Sequence, residues 1–372
     1  MIIFYIIFII VCISVDIIRY QVDFNTIINR FNYFKFKKTD ILMHGASCGE
    51  SQIAIPIIKK LENFHTKVNL SVTTPTGFKL VRKYTDNVFL KPYDEIFSML
   101  IMFAIMRPKT LIIIERDVWP FYILFAKIFN CRIFFINYKI KNKITDRIHY
   151  LLADKIFTIN ECNSLKKKYI HLGDLKLLDL SNNSYKKSNK FLFIVIASAG
   201  RDEIDIHKKY ISYLLKYPNI KIIYVPRHLN WKKTFKEHFK CFNYIFINNI
   251  KDIYHNKISV CWKIGLLNQI YKHSHICLMG DTFNNVGGHN LLEPGISNNI
   301  ILTGPNISTC KHQIKLIPHF YLCNNLSDLI LISNRVIKNY YTQEINNTVK
   351  ILKTKKYIEN KLDDIIKNFL II

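Results

Sequence analysis

Apolar residues in this chain fall into short unbroken blocks rather than strict alternation. The first block, MIIFYIIFIIVCISV at residues 1–15, is followed by Asp16, two isoleucines, Arg19 and Tyr20. A spanning helix needs about 20 apolar residues, with a lower limit near 17, and counting through Ile18 brings this block to that limit. No basic run precedes it and no small-residue cleavage site follows. Residues 1–20 are therefore expected to be a retained membrane anchor rather than a cleaved signal, with a buried N-terminal helix as the alternative. The basic FKFKK at 34–38 then predicts that the body of the protein lies on the cytoplasmic side.

From residue 40 the blocks alternate with helical stretches. DILMH, KVNLSVTT, TLIIIE and CRIFFIN read as buried strands, with helices from about Glu50, Gly77 and Trp119. The polar SNNSYKKSNK at 181–190 has no apolar periodicity and reads as a linker. A second series follows: KFLFIVIAS, NIKIIYVPRH, YIFINN, SHICLMG and NIILTGP. This pattern predicts two Rossmann-like βα domains, over 21–182 and 188–350, facing a cleft, and an amphipathic C-terminal helix over 351–372. In such sheets ligands bind outside the carboxyl ends of the strands. That directs attention to HGASCGE, TTPTG, ERDVWP, ASAGRDE, VPRH and GDTFNNVGGHNLLEP.

Composition narrows the partners. The formal net charge is +26, spread along the chain, which suits an anionic partner: nucleic acid, acidic lipid or a phosphorylated substrate. No finger spacing or RNP-like motif supports nucleic acid. The nine cysteines are scattered, with no CxxC pair and no His/Cys cluster at zinc spacing, so neither a disulfide framework nor a metal site is indicated.

Within HGASCGE, Gly45 and Gly49 open a turn, Ser47 can cap the coming helix, and Glu50 falls in its first turn. Glu50 has two readings here, a carboxylate complementing the helix dipole or a catalytic group. Glu115 closes an apolar run, where it can serve a ligand or pair with Arg116. Arg227 follows a strand, and its planar fork suits a phosphate or carboxylate. GGHNLLEP sets His289, Asn290 and Glu293 around a new helix, an arrangement able to attract an anion and accept hydrogen bonds from a ribose.

Taken in order, these segments resemble the Kdo transferases, which move 3-deoxy-D-manno-octulosonic acid (Kdo) from CMP-Kdo to the lipid A precursor. HGASCGE is similar to that family's HAVSVGE, TTPTG is unchanged, and ERDVWP is similar to ETELWP. INYKI is similar to NARLS, HLGDLK to TGNLK, VPRH matches PRH, and GGHNLLEP with LTGPN resembles GGHNPLEP and FGPH. The match runs from about residue 30 to 310. It implies a GT-B fold with an N-terminal acceptor domain, a C-terminal CMP-sugar domain and a membrane anchor at the cytoplasmic face of a bacterial inner membrane. It further implies inverting transfer with no metal and no cofactor beyond the donor CMP-Kdo.

By matched position, Glu50 would be the general base and Glu115 a second essential carboxylate. Arg227, Asn290 and Glu293 would hold CMP, with Ser198 and the turn before Gly265 near its phosphate. The helix dipole is expected to keep Glu50 ionised. The expected partners are CMP-Kdo, the lipid A precursor and an anionic membrane surface, not nucleic acid. The chain departs from the family at ASAGRDEI, where GSTHEGEE is usual, so Gly200 stands for a His and Ala199 for a Thr. At WKIGLL, Lys263 stands for a Glu. These departures keep open a GT-B protein acting on another nucleotide sugar, or one that retains the fold without catalysis.

Overall fold

The computed structural model describes residues 10–11, 13–14, 16–18, 23–141, 144–161, 167–180, 187–342 and 344–370. Its contacts divide the chain into two units. One comprises Met1–Asp179 with Lys356–Ile372, and the other Leu180–Lys355. Each is built on one seven-stranded sheet.

The first sheet contains β1 (Ile41–Gly45), β2 (Val68–Val72), β3 (Val88–Leu90), β4 (Thr110–Ile114), β5 (Arg132–Tyr138), β6 (Lys155–Thr158) and β7 (Tyr169–His171). Its order is 3-2-1-4-5-6-7 and all its pairings are parallel. The second contains β8 (Leu192–Ala199), β9 (Ile220–Pro226), β10 (Ile245–Ile247), β11 (Ile258–Cys261), β12 (Ile276–Met279), β13 (Ile300–Thr303) and β14 (Phe320–Leu322). Its order is 10-11-9-8-12-13-14, again all parallel.

The unbroken apolar blocks are explained by this geometry. Helices cover both faces of a parallel sheet, so its central strands have no wet side, and every residue of β1, β4, β8 and β9 is buried. The strands that hydropathy does not reveal, β3, β6, β7, β11 and β14, run three or four residues each, too short to show a period. Two of them, β3 and β7, are the outer strands of the first sheet and β14 is an outer strand of the second.

Helix starts sit two residues earlier than expected, or one later, because capping rather than hydropathy decides them. Ser47 caps Cys48–Glu62, and Thr74 caps Pro75–Val81 with proline in its first turn. Trp119 precedes Pro120–Ile128, where proline again sets the first turn. In both sheets the chain reverses direction of travel beside the first strand, between β1 and β4 and between β8 and β12. The carboxyl ends of those strands are where a crevice opens.

Two sequence expectations need restating. Most of the predicted anchor lies outside the described residues, and among the described residues no helix is long and apolar enough to cross a membrane. Asp16 is buried, 2.6 Å from Arg30 Nε, and accepts a 3.0 Å bond from the Tyr93 hydroxyl. The expected linker falls partly on residues 181–186, outside the described residues. The C-terminal helix begins at Thr348, and its residues from Lys356 onward return to the first unit.

Candidate active site

The first unit gathers its chemistry at the β1/β4 crevice. Glu50 lies in the opening turn of Cys48–Glu62, and its Oε2 accepts hydrogen bonds from the backbone amides of Ala46 and Ser47 (3.2 Å from the latter). Ser47 Oγ in turn accepts from the Glu50 amide at 3.4 Å, completing a reciprocal cap. Ser47 therefore works as a cap. The Glu50 pKa is raised to about 7, by burial first and by the Glu115 carboxylate second, against the opposing pull of the two amides. Burial and a like charge outweigh the favourable helix terminus, so Glu50 is only partly ionised at neutral pH rather than fully so.

Glu115 follows β4 directly. Its φ of 59° is left-handed, an unfavourable backbone for a residue with a Cβ, and such strain concentrates where a side chain must be aimed. Its Oε1 is 3.1 Å from Lys176 Nζ and 3.5 Å from Asn137 Nδ2. Asn137, also left-handed and fully buried, accepts a 2.9 Å bond from the Leu175 amide and so ties the Lys176 turn to the end of β5. Burial disfavours the Lys176 ammonium, but Glu115, Asp174 and Glu50 together leave its pKa above the ordinary lysine value. The result is a carboxyl held near neutrality, a second carboxylate and a lysine within one electrostatic group. Arg116, the alternative partner for Glu115, turns instead to Asp146, the Lys139 carbonyl and Thr145.

Beneath this group a buried polar chain stiffens the crevice floor. His44 Nε2 donates to Asp117 Oδ2 at 2.9 Å, Trp119 Nε1 donates to the same oxygen at 2.8 Å, and His44 Nδ1 pairs with Ser71, which reaches the Tyr122 hydroxyl at 2.9 Å. Burial lowers the His44 pKa. Asp117 stays below the usual carboxylate range because the bonds from His44 and Trp119 outweigh its own burial.

The second unit repeats the placement at its β8/β12 crevice. Ser198, with φ of 50°, is the penultimate residue of β8, and Gly200 follows the strand. A Cβ on Gly200 would lie 1.9 Å from Asp281 Oδ1, so the Asp281 carboxylate fills the space a side chain there would need. Asp281 binds His289 Nε2 and Asn284 Nδ2, each at 2.8 Å. Burial opposes its charge, yet these bonds and the nearby Arg227 hold its pKa below the ordinary value. Glu203, 1% exposed, accepts from the Asp281 and Phe283 amides, and burial raises its pKa. Asn290 Nδ2 donates to Glu293 Oε1 at 3.0 Å, and Asn290 Oδ1 accepts from the Leu292 amide at 3.1 Å just ahead of Leu292–Ile296. Arg227 and Glu293 both act on the buried Tyr271 phenol, which places them around one side chain.

The structure thus groups Glu50 with Glu115, and Arg227 with Asp281, Asn290 and Glu293. Gly265, with φ of 99°, has nothing within 4 Å of a would-be Cβ. Sequence reasoning missed Lys176, Asn137 and Asp281. The HLGDLK motif carried a signal for Lys176, and no local pattern carried one for Asp281. Among the described residues no three His, Cys, Asp or Glu side chains are grouped to hold a metal ion.

Comparison with known proteins points to one family. Residues 25–160 match the model of the 3-deoxy-D-manno-octulosonic-acid transferase (kdotransferase) N-terminal region. A 3-deoxy-D-manno-octulosonic acid transferase of Aquifex aeolicus is 29% identical over 280 residues, 72% of this chain and 76% of the relative. One of Rickettsia typhi is 24% identical over 363 residues, 87% of this chain and 75% of the relative. These matches support the Kdo transferase family for this chain. Its Kdo transferase relatives indicate a glycosyltransferase enzyme.

Solved structures agree on architecture. A glycosyltransferase of Rickettsia africae superposes with a TM-score of 0.58 at 13% identity, covering 90% of this chain and all of that one. A UDP-GlcNAc 2-epimerase of Neisseria meningitidis gives 0.61 at 13%, covering 88% and 100%. At these identities the likeness speaks to fold alone, and the two parallel α/β sheets are those of a GT-B protein.

Proposed function

We propose that this Kdo transferase moves Kdo from CMP-Kdo to the lipid A precursor, lipid IVA, in lipopolysaccharide synthesis, with inversion at the anomeric carbon and Glu50 as general base. The observation that carries the reading is the Glu50 carboxyl itself: at a crevice mouth, backed by two amides, with a pKa of about 7. A base of that strength is ionised often enough at neutral pH and is far stronger than an ordinary carboxylate.

In the reaction the acceptor hydroxyl oxygen bonds to the anomeric carbon of Kdo and its proton passes to Glu50. The bond between that carbon and the phosphate oxygen breaks, and CMP leaves with the electron pair. Lys176, neutralised in part by Glu115, stands ready for an acidic group of the acceptor. In the second unit Arg227, Asn290 and Glu293 hold CMP, with Ser198 and the Gly265 turn near its phosphate. No residue of this scheme calls for a metal.

The anionic membrane surface is supported by charge and by shape. The net charge is +26, and the helix Ile96–Met106 leaves Ile96, Phe97, Leu100 and Ile105 exposed beside Leu124 and Ile128 of the helix packed on it. Apolar side chains of this kind suit the acyl region of a lipid acceptor, and the basic excess suits its phosphates.

The test is CMP release by the detergent-solubilised protein given CMP-Kdo and tetra-acylated lipid A precursor. Wild-type release, lost by a factor of about 10² to 10⁴ in Glu50→Gln, is the expected result. Equal rates in both would remove Glu50 from the mechanism. Preference for UDP or GDP over CMP in a binding assay would replace the donor.

A further inference from the structure

Position 200 is a glycine beside an acidic side chain, and neither is explained by the motifs alone. The carboxylate of Asp281 enters the volume that any Cβ on Gly200 would occupy, at 1.9 Å from its Oδ1. From there Asp281 organises the whole turn that follows β12. Its carbonyl accepts from the Gly287 and Gly288 amides at 3.1 and 2.7 Å, its amide donates to the buried Glu203, and its two carboxylate oxygens bind Asn284 and His289. Its φ of 58° is left-handed, so the backbone is bent to put the carboxylate there.

The bond to Asp281 assigns the hydrogen on His289. Nε2 donates to the carboxylate, and among the described residues Nδ1 has no hydrogen-bond partner. The imidazole side chain is 18% exposed and sits at the mouth of the β8/β12 crevice, where Arg227 also acts on Asp281. A carboxylate behind an imidazole orients the ring and supports its charge when the outer nitrogen meets an anion.

We infer that Asp281 is a positioning residue that takes the space left by Gly200 and fixes His289 so that its Nδ1 donates to a phosphate oxygen of the donor nucleotide. This rests on the CMP-Kdo reading and deepens it, since it names the group that holds the phosphate and the residue that holds that group.

The experiment titrates CMP and cytidine, which lacks the phosphate, into the full-length detergent-solubilised protein and follows binding by calorimetry. Wild type binds CMP more tightly than cytidine. His289→Gln and Asp281→Asn each weaken CMP about tenfold, the size of one lost charge-assisted hydrogen bond, and leave cytidine unchanged. Gly200→Ala displaces the Asp281 carboxylate and weakens CMP in the wild-type background, but causes no further loss in an Asp281→Gly background. Thermal unfolding of each variant separates this from a general loss of fold.

Equal weakening of CMP and cytidine in His289→Gln would make the pair merely structural and overturn the inference. Unchanged CMP binding in both single variants would overturn it as well, while leaving the CMP-Kdo reading intact. A wild type that binds neither CMP nor cytidine would overturn the donor reading itself, and the inference with it.

Discussion

At Glu50 one carboxylate caps a helix and carries a proton that the crevice makes easy to hold near neutrality. Its protonation should be visible in the pH profile: kcat/KM is expected to rise with pH to a half-maximum near 7, as the base loses its proton. Glu115→Gln removes the like charge that helps raise Glu50, so in that variant the rising limb should move to lower pH. A fixed midpoint would show that another group titrates. The same shift has a stability consequence. The folded pKa lies above the ordinary glutamate value of 4.5, so the folded chain binds the proton more tightly than the unfolded chain. Stability attributable to Glu50 is therefore highest below about 4.5, declines as pH rises to about 7, and is constant above it. Glu50→Gln should accordingly gain melting temperature relative to wild type at pH 8 and gain less at pH 5, even as it loses activity. Glu50 and Glu115 were legible as residues because each ends or follows an apolar block. Their coupling to each other and to Lys176 was not, since it joins three segments distant in the chain.

Elements were read well where a run was long and buried, and poorly at the sheet margins. The helix Ile96–Met106 went unseen because IFSMLIMFAIM is apolar nearly all round and has no amphipathic period. Its exposed face supports the proposed lipid contact. Phe97→Ser with Leu100→Ser should reduce binding to anionic vesicles severalfold without lowering the melting temperature, because both side chains are 41% or more exposed. A drop in melting temperature with unchanged vesicle binding would reassign that face to packing. The C-terminal helix offers a second test at this scale. Gly173, with φ of 105°, lies in the HLGDLK turn against Ile358, whose Cδ1 would stand 2.7 Å from a Cβ. Gly173→Ala is expected to lose about 2 kcal/mol of stability through backbone strain and this clash. Since Lys176 sits on the same turn, activity should fall more than stability alone explains, which steady-state rates on folded protein would show.

At the scale of the whole molecule, the basic excess predicts that vesicle binding weakens as salt rises, since exposed charges are screened beyond a Debye length of about 8 Å at physiological ionic strength. Flotation assays across a salt series measure this directly, and salt-insensitive binding would leave the apolar helix as the sole contact. The sequence by itself determined the two parallel βα series, the strand ends that bear chemistry and the candidates Glu50, Glu115, Arg227, Asn290 and Glu293. It could do so because a buried parallel strand must be apolar throughout and its capping turn must be polar, and both are local properties. Only the tertiary structure decided that Lys176 meets Glu115, that Asp16 pairs with Arg30, and that Asp281 fills the space above Gly200. Those outcomes depend on strand order and on which volumes and charges it brings face to face, and hydropathy along a chain does not encode that order.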